Sequence, residues 1–495
     1  MFLHSVFFFA LLFLGTNADI PVCNGAVQLN PPADTTQDTW YPSNFTGSPP
    51  PLYPNNYSCT YQINVPQGWS ATISIWLNQT IPSDQAVSVV VIDQNQQSEA
   101  VWPTTGEHYF FLAPGGRITL ASRQSNVRFG FSIRWWQFYG IFDPWHNKVT
   151  VAQPQPAVSW AFSTSPIQTT AETRVSLVIT PPIDDNLLQY LRSIIIYDGP
   201  NWNSTCLGNG LQLYFSRKQL VSTGKQMTVV QLRPFFPLGR TMLVFQDYEN
   251  TKDIVQFQGI NCPDVANCGM FTMDGTQGPA AMVSLFETPD SGAEYITSLS
   301  GSGQLDVYIG GKTKSKTNLI TSYAVNSSSQ LIPQEFLGYA RTYVFTGKTA
   351  LVGFTRRSQV FSNSAAVGRK GFMASRSYML GAASFYQDVY DTIGSNYPSY
   401  TVFNFQVVIQ EADFVGNTTL SVVVRNQGKT TYSQVFTASN LPDTKSTISA
   451  IGTDLSVDYK TYGQATKGYF LNFELQKSSA QYGLFATLFL FLMLQ

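Results

Sequence analysis

Apolar residues along this chain come in short β-branched runs, each cut off by a polar turn of Gly, Asn or Asp. Four stretches repeat that pattern: VSVVVIDQNQQSEAVW from Val87, RSIIIYDGPNWNSTCLG from Arg192, LDVYIGGKTKSKTNLI from Leu305 and LSVVVRNQGKTTYSQVF from Leu420. An apolar run, a turn and a second strand-like segment predict a β-hairpin. Asp93, Asp198, Gly310 and Asn426 hold the matching turn positions, 105, 112 and 116 residues apart. Each unit then closes on a further strand: RFGFSIRWW at Arg128, TMLVFQDYE at Thr241, ALVGFTRRS at Ala350 and GYFLNFELQ at Gly468. We read these closers as alternating apolar and polar, which predicts strands with one buried face. A period of about 110 residues is too long for a solenoid or propeller repeat and fits a whole β-sandwich. The expected fold is therefore all-β, a tandem array of sandwiches.

The ends of the chain read differently. MFLHSVFFFALLFLGTNA is a short apolar run with small residues at Thr16 and Ala18, the pattern of a secretory signal peptide cut before Asp19. GLFATLFLFLMLQ ends the chain without a basic flank and is too short to span a bilayer. Ser478, Ser479 and Ala480 lie just upstream, and we expect a glycosylphosphatidylinositol (GPI) attachment at Ser478. A simply secreted or tail-anchored protein is the alternative. The expected division is 1–18 signal, sandwiches at 19–138, 141–262, 263–375 and 378–477, and 478–495 removed on anchoring.

Composition narrows the function. A net charge of −1 with 12% charged residues gives no electrostatic attraction for nucleic acid or anionic membrane. Five cysteines in a secreted chain predict disulfides with one thiol left over. Cys23 and Cys59 fall together in the first segment and form the expected pair, whereas Cys206, Cys262 and Cys268 allow no choice. Sequons at Asn44, Asn56, Asn78, Asn203, Asn326 and Asn417 offer N-glycosylation sites once secretion is accepted.

The segment from Cys23 through Tyr53-Pro54-Asn55-Asn56-Tyr57, Cys59-Thr60-Tyr61 and Pro66-Gln67-Gly68 resembles the start of a CUB domain. The second unit is similar to that family's later part, with Tyr197-Asp198-Gly199, Cys206 near Leu207-Gly208, and Ser222-Thr223-Gly224. The whole resembles the CUB-like proteins of nematodes, secreted or GPI-linked and associated with intestinal defence. That resemblance implies jelly-roll-like sandwiches, the last two divergent. It also implies an extracellular recognition or adhesion role, with a structural coat protein as the alternative. Many CUB domains hold calcium through a Glu and two Asp, but Val87 and Arg192 occupy the first Asp position here and Lys225 follows the Ser-x-Gly turn. Calcium is therefore disfavoured, with Asp184 and Asp185 the only substitutes considered, and no cofactor is expected.

Catalytic signatures are weak. Beyond the signal only His108 and His146 remain, and no Gly-x-Ser-x-Gly elbow presents a nucleophile. Asp274-Gly275-Thr276 and Pro289-Asp290-Ser291-Gly292 read as turns rather than an aspartic-protease pair. We expect no enzyme. The aromatic cluster around Trp135, Trp136 and Tyr139 supplies the candidate ligand contacts, since Trp and Tyr anchor interfaces and stack on sugars. The alternative is that they pack neighbouring sandwiches together. The expected partners are an extracellular glycan or protein and, through the anchor, the membrane.

Overall fold

A computed structural model describes residues 20–478, except 80–86, 124–125, 138–142, 162, 233–240, 263–267, 287–292, 377, 382–387 and 396–399. The signal segment and the C-terminal tail thus lie outside the described residues. The chain forms two compact units that divide between Phe142 and Asp143.

The first unit is a sandwich of two sheets. One contains, in order, Ala26–Leu29, Ser58–Asn64, Gly115–Ala121, Val89–Ile92 and Ser98–Val101. The other contains Thr39–Tyr41, Val127–Gln137, Trp69–Gln79 and Thr104–Leu112. Ser58–Asn64 shows why the sequence folds this way: alternate residues Cys59, Tyr61 and Ile63 are buried, and the others face outward. These side chains meet Ile73, Ile75, Phe129 and Phe131 of the opposite sheet in one core. Burial of each large side chain there contributes about 1.5–3 kcal/mol.

Numbered along the chain, the strands of this unit take the orders first–third–eighth–fifth–sixth and second–ninth–fourth–seventh, with the first strand parallel to the third. Residues 145–247 repeat both orders strand for strand, again with a parallel first pair, Trp145–Val149 on Ile167–Ala171. The third module hides the same topology in a seven-stranded sheet. Its fourth and fifth strands are fused into Glu294–Ile309 and its eighth and ninth into Ala340–Thr355. The fused ribbon bulges between Gly301 and Gly303, both at positive φ. A Cβ there would meet Thr349 O at 2.2 Å or Thr346 O at 2.4 Å, so glycine lets the two strands stay paired at the bulge. The fourth module keeps the pattern in two four-stranded sheets but lacks the first strand among the described residues.

Two expectations need correction. The expected bounds of 141–262 placed strand Gln256–Ile260 in the second sandwich. It pairs in parallel with Ala280–Leu285 and is the first strand of the third module. The closer at Thr241 is not one-faced: Met242–Asp247 is buried at every position. Leu243 and Phe245 enter the second core, while Met242 and Val244 pack on Ala281, Val283, Tyr308 and Val344 of the third module. The run Met-Leu-Val-Phe is continuously apolar, as a strand covered on both faces requires.

Candidate binding site

The aligned turn residues serve the fold in different ways. Asp93 folds back locally, accepting from the backbone N–H of Asn95 at 2.8 Å and of Gln97 at 3.0 Å. Asp198, at the end of strand Ile194–Asp198, instead accepts from Thr223 N and Oγ1 at 2.9 and 2.8 Å. Its carboxylate therefore ties a strand end to the Ser222–Gly224 turn, which a reading as a turn former alone had missed. Asn426 opens a hairpin turn in which Gln427 and Gly428 both have positive φ. Gly310 is required by close approach, since a Cβ would lie 2.4 Å from Pro154 O.

The other polar candidates have local roles. Asp184 caps the short 3-10 helix Asp185–Ser193 by accepting from Asn186 N. Asp274 accepts from Thr276 within its turn, and Asp290 lies outside the described residues. His108 Nδ1 is 2.9 Å from Ser74 Oγ on the neighbouring strand, and His146 is exposed. Among the described residues no group of three or more His, Cys, Asp or Glu side chains is arranged to hold a metal ion.

Cys23 is bonded to Cys59, and Cys262 to Cys268, which leaves Cys206 half-buried without a disulfide. All six sequon asparagines, Asn44, Asn56, Asn78, Asn203, Asn326 and Asn417, are exposed. Ser478 follows the last strand and is buried, while the tail beyond it is outside the described residues.

The proposed aromatic contacts separate. Trp135 is 2% exposed, lies in the first core and donates its indole N–H to Asn64 O at 3.2 Å. It is therefore removed as a ligand contact, because the period-two alternation of its strand turns it inward. Trp136, the next residue, points outward at 38% exposure beneath the Arg134 guanidinium, 5.6 Å from its ring centre. Tyr139 lies outside the described residues.

A different concavity lies between the third and fourth modules. Its floor is the outer face of the fourth module's sheet Lys370–Ala374, Tyr469–Lys477, Phe403–Ala412 and Ile448–Gly452. Inward residues Phe405, Val407, Leu471 and Leu475 fill the core, and alternation leaves Gln406, Asn472, Glu474 and Gln476 outward. Cross-strand pairing sets them in rows, Phe372 beside Asn472 and Lys370 beside Glu474 beside Gln406. Thr321, Tyr323 and Gln334 of the third module form the facing wall of a cavity of about 500 Å³. Gln334 fixes that wall, since its buried amide both donates to Phe372 O and accepts from Phe372 N. Lys370 and Glu474 approach to 3.4 Å, so the two charged residues that line the cavity oppose one another.

The neighbouring residue Glu335 points the other way. It is buried beside Asp391 of strand Val389–Gly394, within hydrogen-bonding reach, and Tyr295 Oη donates to it at 2.6 Å. Burial raises both carboxyl pKa values, with mutual repulsion adding to the rise at Asp391. They share a cavity of about 390 Å³ with Arg376 and Asp388. Another buried carboxylate, Glu294, has partners on both oxygens. Ser284 and Tyr343 donate to it at 2.6 and 2.7 Å, and Arg341 Nε lies 3.4 Å away.

Comparison with known proteins follows the modular layout. Residues 18–139 match the family model of the CUB-like domain. Residues 148–232 and 249–357 match two domains of unknown function, DUF7592 and DUF7591. No curated protein matches the chain. Among solved structures, the CUB1-EGF-CUB2 domain of human MASP-1/3 is 9% identical, over 42% of this chain and 98% of its own, at a TM-score of 0.16. The same domains of rat MASP-1 are 14% identical, over 45% and 95%, at 0.18. Lac15 from a marine microbial metagenome is 8% identical, over 63% and 84%, at 0.13. Scores this low carry no argument beyond the family match. CUB-like domains are generally extracellular, non-catalytic interaction modules, and the two disulfides agree with that compartment. What this chain is similar to, then, is a CUB-like domain over residues 18–139, followed by two stretches similar to domains of unknown function.

Proposed function

We propose that this protein is an extracellular recognition or adhesion protein, held at a cell surface through a GPI anchor at Ser478, with a structural coat role as the alternative. The observation that carries the reading is the polar groove between the third and fourth modules. Asn472 and Gln476 present amide groups with no hydrogen-bond partner among the described residues, beside Gln406, Thr321 and Thr447. Side-chain amides both donate and accept without net charge, which suits the hydroxyls of a glycan. A cavity of this size is in the range of small-ligand sites. Trp136, exposed on the first unit, offers a second contact surface.

Defence against pathogens at an epithelium is the role that the family resemblance favours. A screen of the soluble ectodomain against glycan arrays and microbial surfaces tests the reading. We expect saturable binding that falls at least tenfold in Asn472→Ala/Gln476→Ala. Binding unaffected by that double substitution would move the site away from the groove, and no binding at all would favour the coat role. Release of the protein from cells by a phosphatidylinositol-specific phospholipase tests the anchor.

A further inference from the structure

Alternation turns Ile73, Ile75 and Leu77 of strand Trp69–Gln79 into the first core and leaves Trp76 and Asn78 on the other face of the sheet. That is the water side of a sandwich, where polar residues are the rule. Here it carries an aromatic cluster instead. The ring centres of Trp40 and Trp76 lie 5.3 Å apart, and the Phe45 ring meets each of them edge-on at 5.5 Å. None of the three belongs to the core. Gly130, on the intervening strand Val127–Gln137, makes the cluster possible, since a Cβ there would lie 2.6 Å from the Phe45 ring. On the other neighbouring strand, Thr104–Leu112, Gly106 lies beside the Trp76 indole, where a Cβ would sit 3.7 Å away. Phe45 is 4% exposed, whereas Trp40 and Trp76 are half-buried and keep part of their surface in water.

Two sequons flank this cluster. Asn44 directly precedes Phe45, and Asn78 opens Asn78-Gln79-Thr80 two positions beyond Trp76. Residues two apart on a strand share a face and stand about 7 Å from one another. Asn78 is exposed, and Arg128, opposite it in the ladder, is engaged with Pro50 O at 3.3 Å.

We propose that an N-glycan on Asn78 seats its first N-acetylglucosamine on the Trp76 indole, so that the cluster of Trp40, Phe45 and Trp76 is a platform for the chain's own sugar. The C–H groups on one face of that sugar are apolar and weakly positive, and an indole face is apolar and negative, so stacking takes both out of water. Attachment two residues away holds the sugar at a high effective concentration over the ring, which a free sugar lacks. The apolar patch on the water side is thus covered by the modification itself, and the strand beneath it gains stability. The inference rests on the extracellular reading only in requiring that the sequon be modified during secretion. It is independent of the groove between the third and fourth modules.

The test uses the intact chain secreted from eukaryotic cells that make high-mannose glycans. Mass spectrometry of peptides reads the occupancy of each sequon. Endoglycosidase H then trims every site to a single N-acetylglucosamine, and peptide N-glycosidase removes the sugar altogether. The readout is the temperature at which residues 69–79 lose their hydrogen-exchange protection. We expect the untrimmed and single-sugar forms to agree, and the sugar-free form and Asn78→Gln to lose protection about 4 °C lower. In Trp76→Leu the difference between single-sugar and sugar-free forms should vanish, while Asn326→Gln, in the third module, should leave the wild-type temperature unchanged. A second measurement needs no substitution and decides the matter even where Trp76→Leu fails to fold. In the nuclear magnetic resonance spectrum of the single-sugar wild type, the indole ring current should shift the sugar protons at Asn78 upfield of those at Asn326. The proposal is overturned if Asn78 is unoccupied while other sequons carry sugar, if the upfield shift is absent, or if the gain from the single sugar survives in Trp76→Leu. Sugar at no sequon would overturn it together with the extracellular reading.

Discussion

The first and fourth modules share a strand order but close their sandwiches differently. In the first, Ala26–Leu29 covers the sheet end, the Cys23–Cys59 disulfide fastens it, and Tyr41, Tyr53, Tyr57 and Tyr61 pack around it with Phe129 and Phe131. In the fourth no covering strand is found among the described residues; helix Gln359–Ser362 packs against Val389–Gly394 instead, and the ionisable groups Glu335, Asp391 and Tyr295 gather beside it. One topology thus tolerates two kinds of edge. One edge is apolar and cross-linked, and the other is packed by a short helix beside two buried carboxyl groups.

Substitutions test this contrast. The largest effect should come from Tyr61→Ala in the first module, where a fully buried ring is lost. We expect about 3–5 kcal/mol of destabilisation by denaturant unfolding, and a loss under about 1 kcal/mol would break the claim that this edge is held by packing. Replacing Cys59 by Ser should remove about 2–4 kcal/mol and lower the melting temperature of the first unit.

The acid pair between the third and fourth modules predicts a pH dependence of opposite sign to the usual carboxylate. The folded pKa values of Glu335 and Asp391 are raised above their unfolded values. Their favourable contribution is therefore complete below the ordinary carboxylate range and is lost as pH rises towards the raised values. Thermal melts should show the second unit weakening with rising pH, and Glu335→Gln should flatten the profile, at about 1.4 kcal/mol per unit of pKa difference removed. A wild-type profile identical to that of Glu335→Gln would show that the pair does not share a proton. The smallest effect is expected for Asp198→Ala, about 1 kcal/mol, through loss of its two bonds to Thr223. Asp198→Asn should recover part of it, because an amide oxygen still accepts from Thr223.

The sites were less legible in the sequence than the fold. The runs from Val87, Arg192, Leu305 and Leu420 announce themselves because each strand's own pattern reports its burial. Met242–Asp247 carried the signal of a doubly covered strand in its unbroken apolar run, and reading it as alternating missed the packing of the second module on the third. Trp135 and Trp136 look equivalent in sequence, yet neighbouring strand positions face opposite ways. The acid pair had no sequence signal at all. Glu335 and Asp391 belong to different modules and are 56 positions apart, with neither in a motif.

By itself, then, the sequence determined the all-β class, the repeat of about 110 residues and the turn chemistry at Asp93, Asp198, Gly310 and Asn426, because strand periodicity and turn dihedrals are local properties. Tertiary structure alone decided which sheet each strand joined, how the third module fused two sheets into one, and which polar groups met between modules. Those outcomes depend on strand pairing and burial between residues far apart in the chain, and no local pattern encodes them.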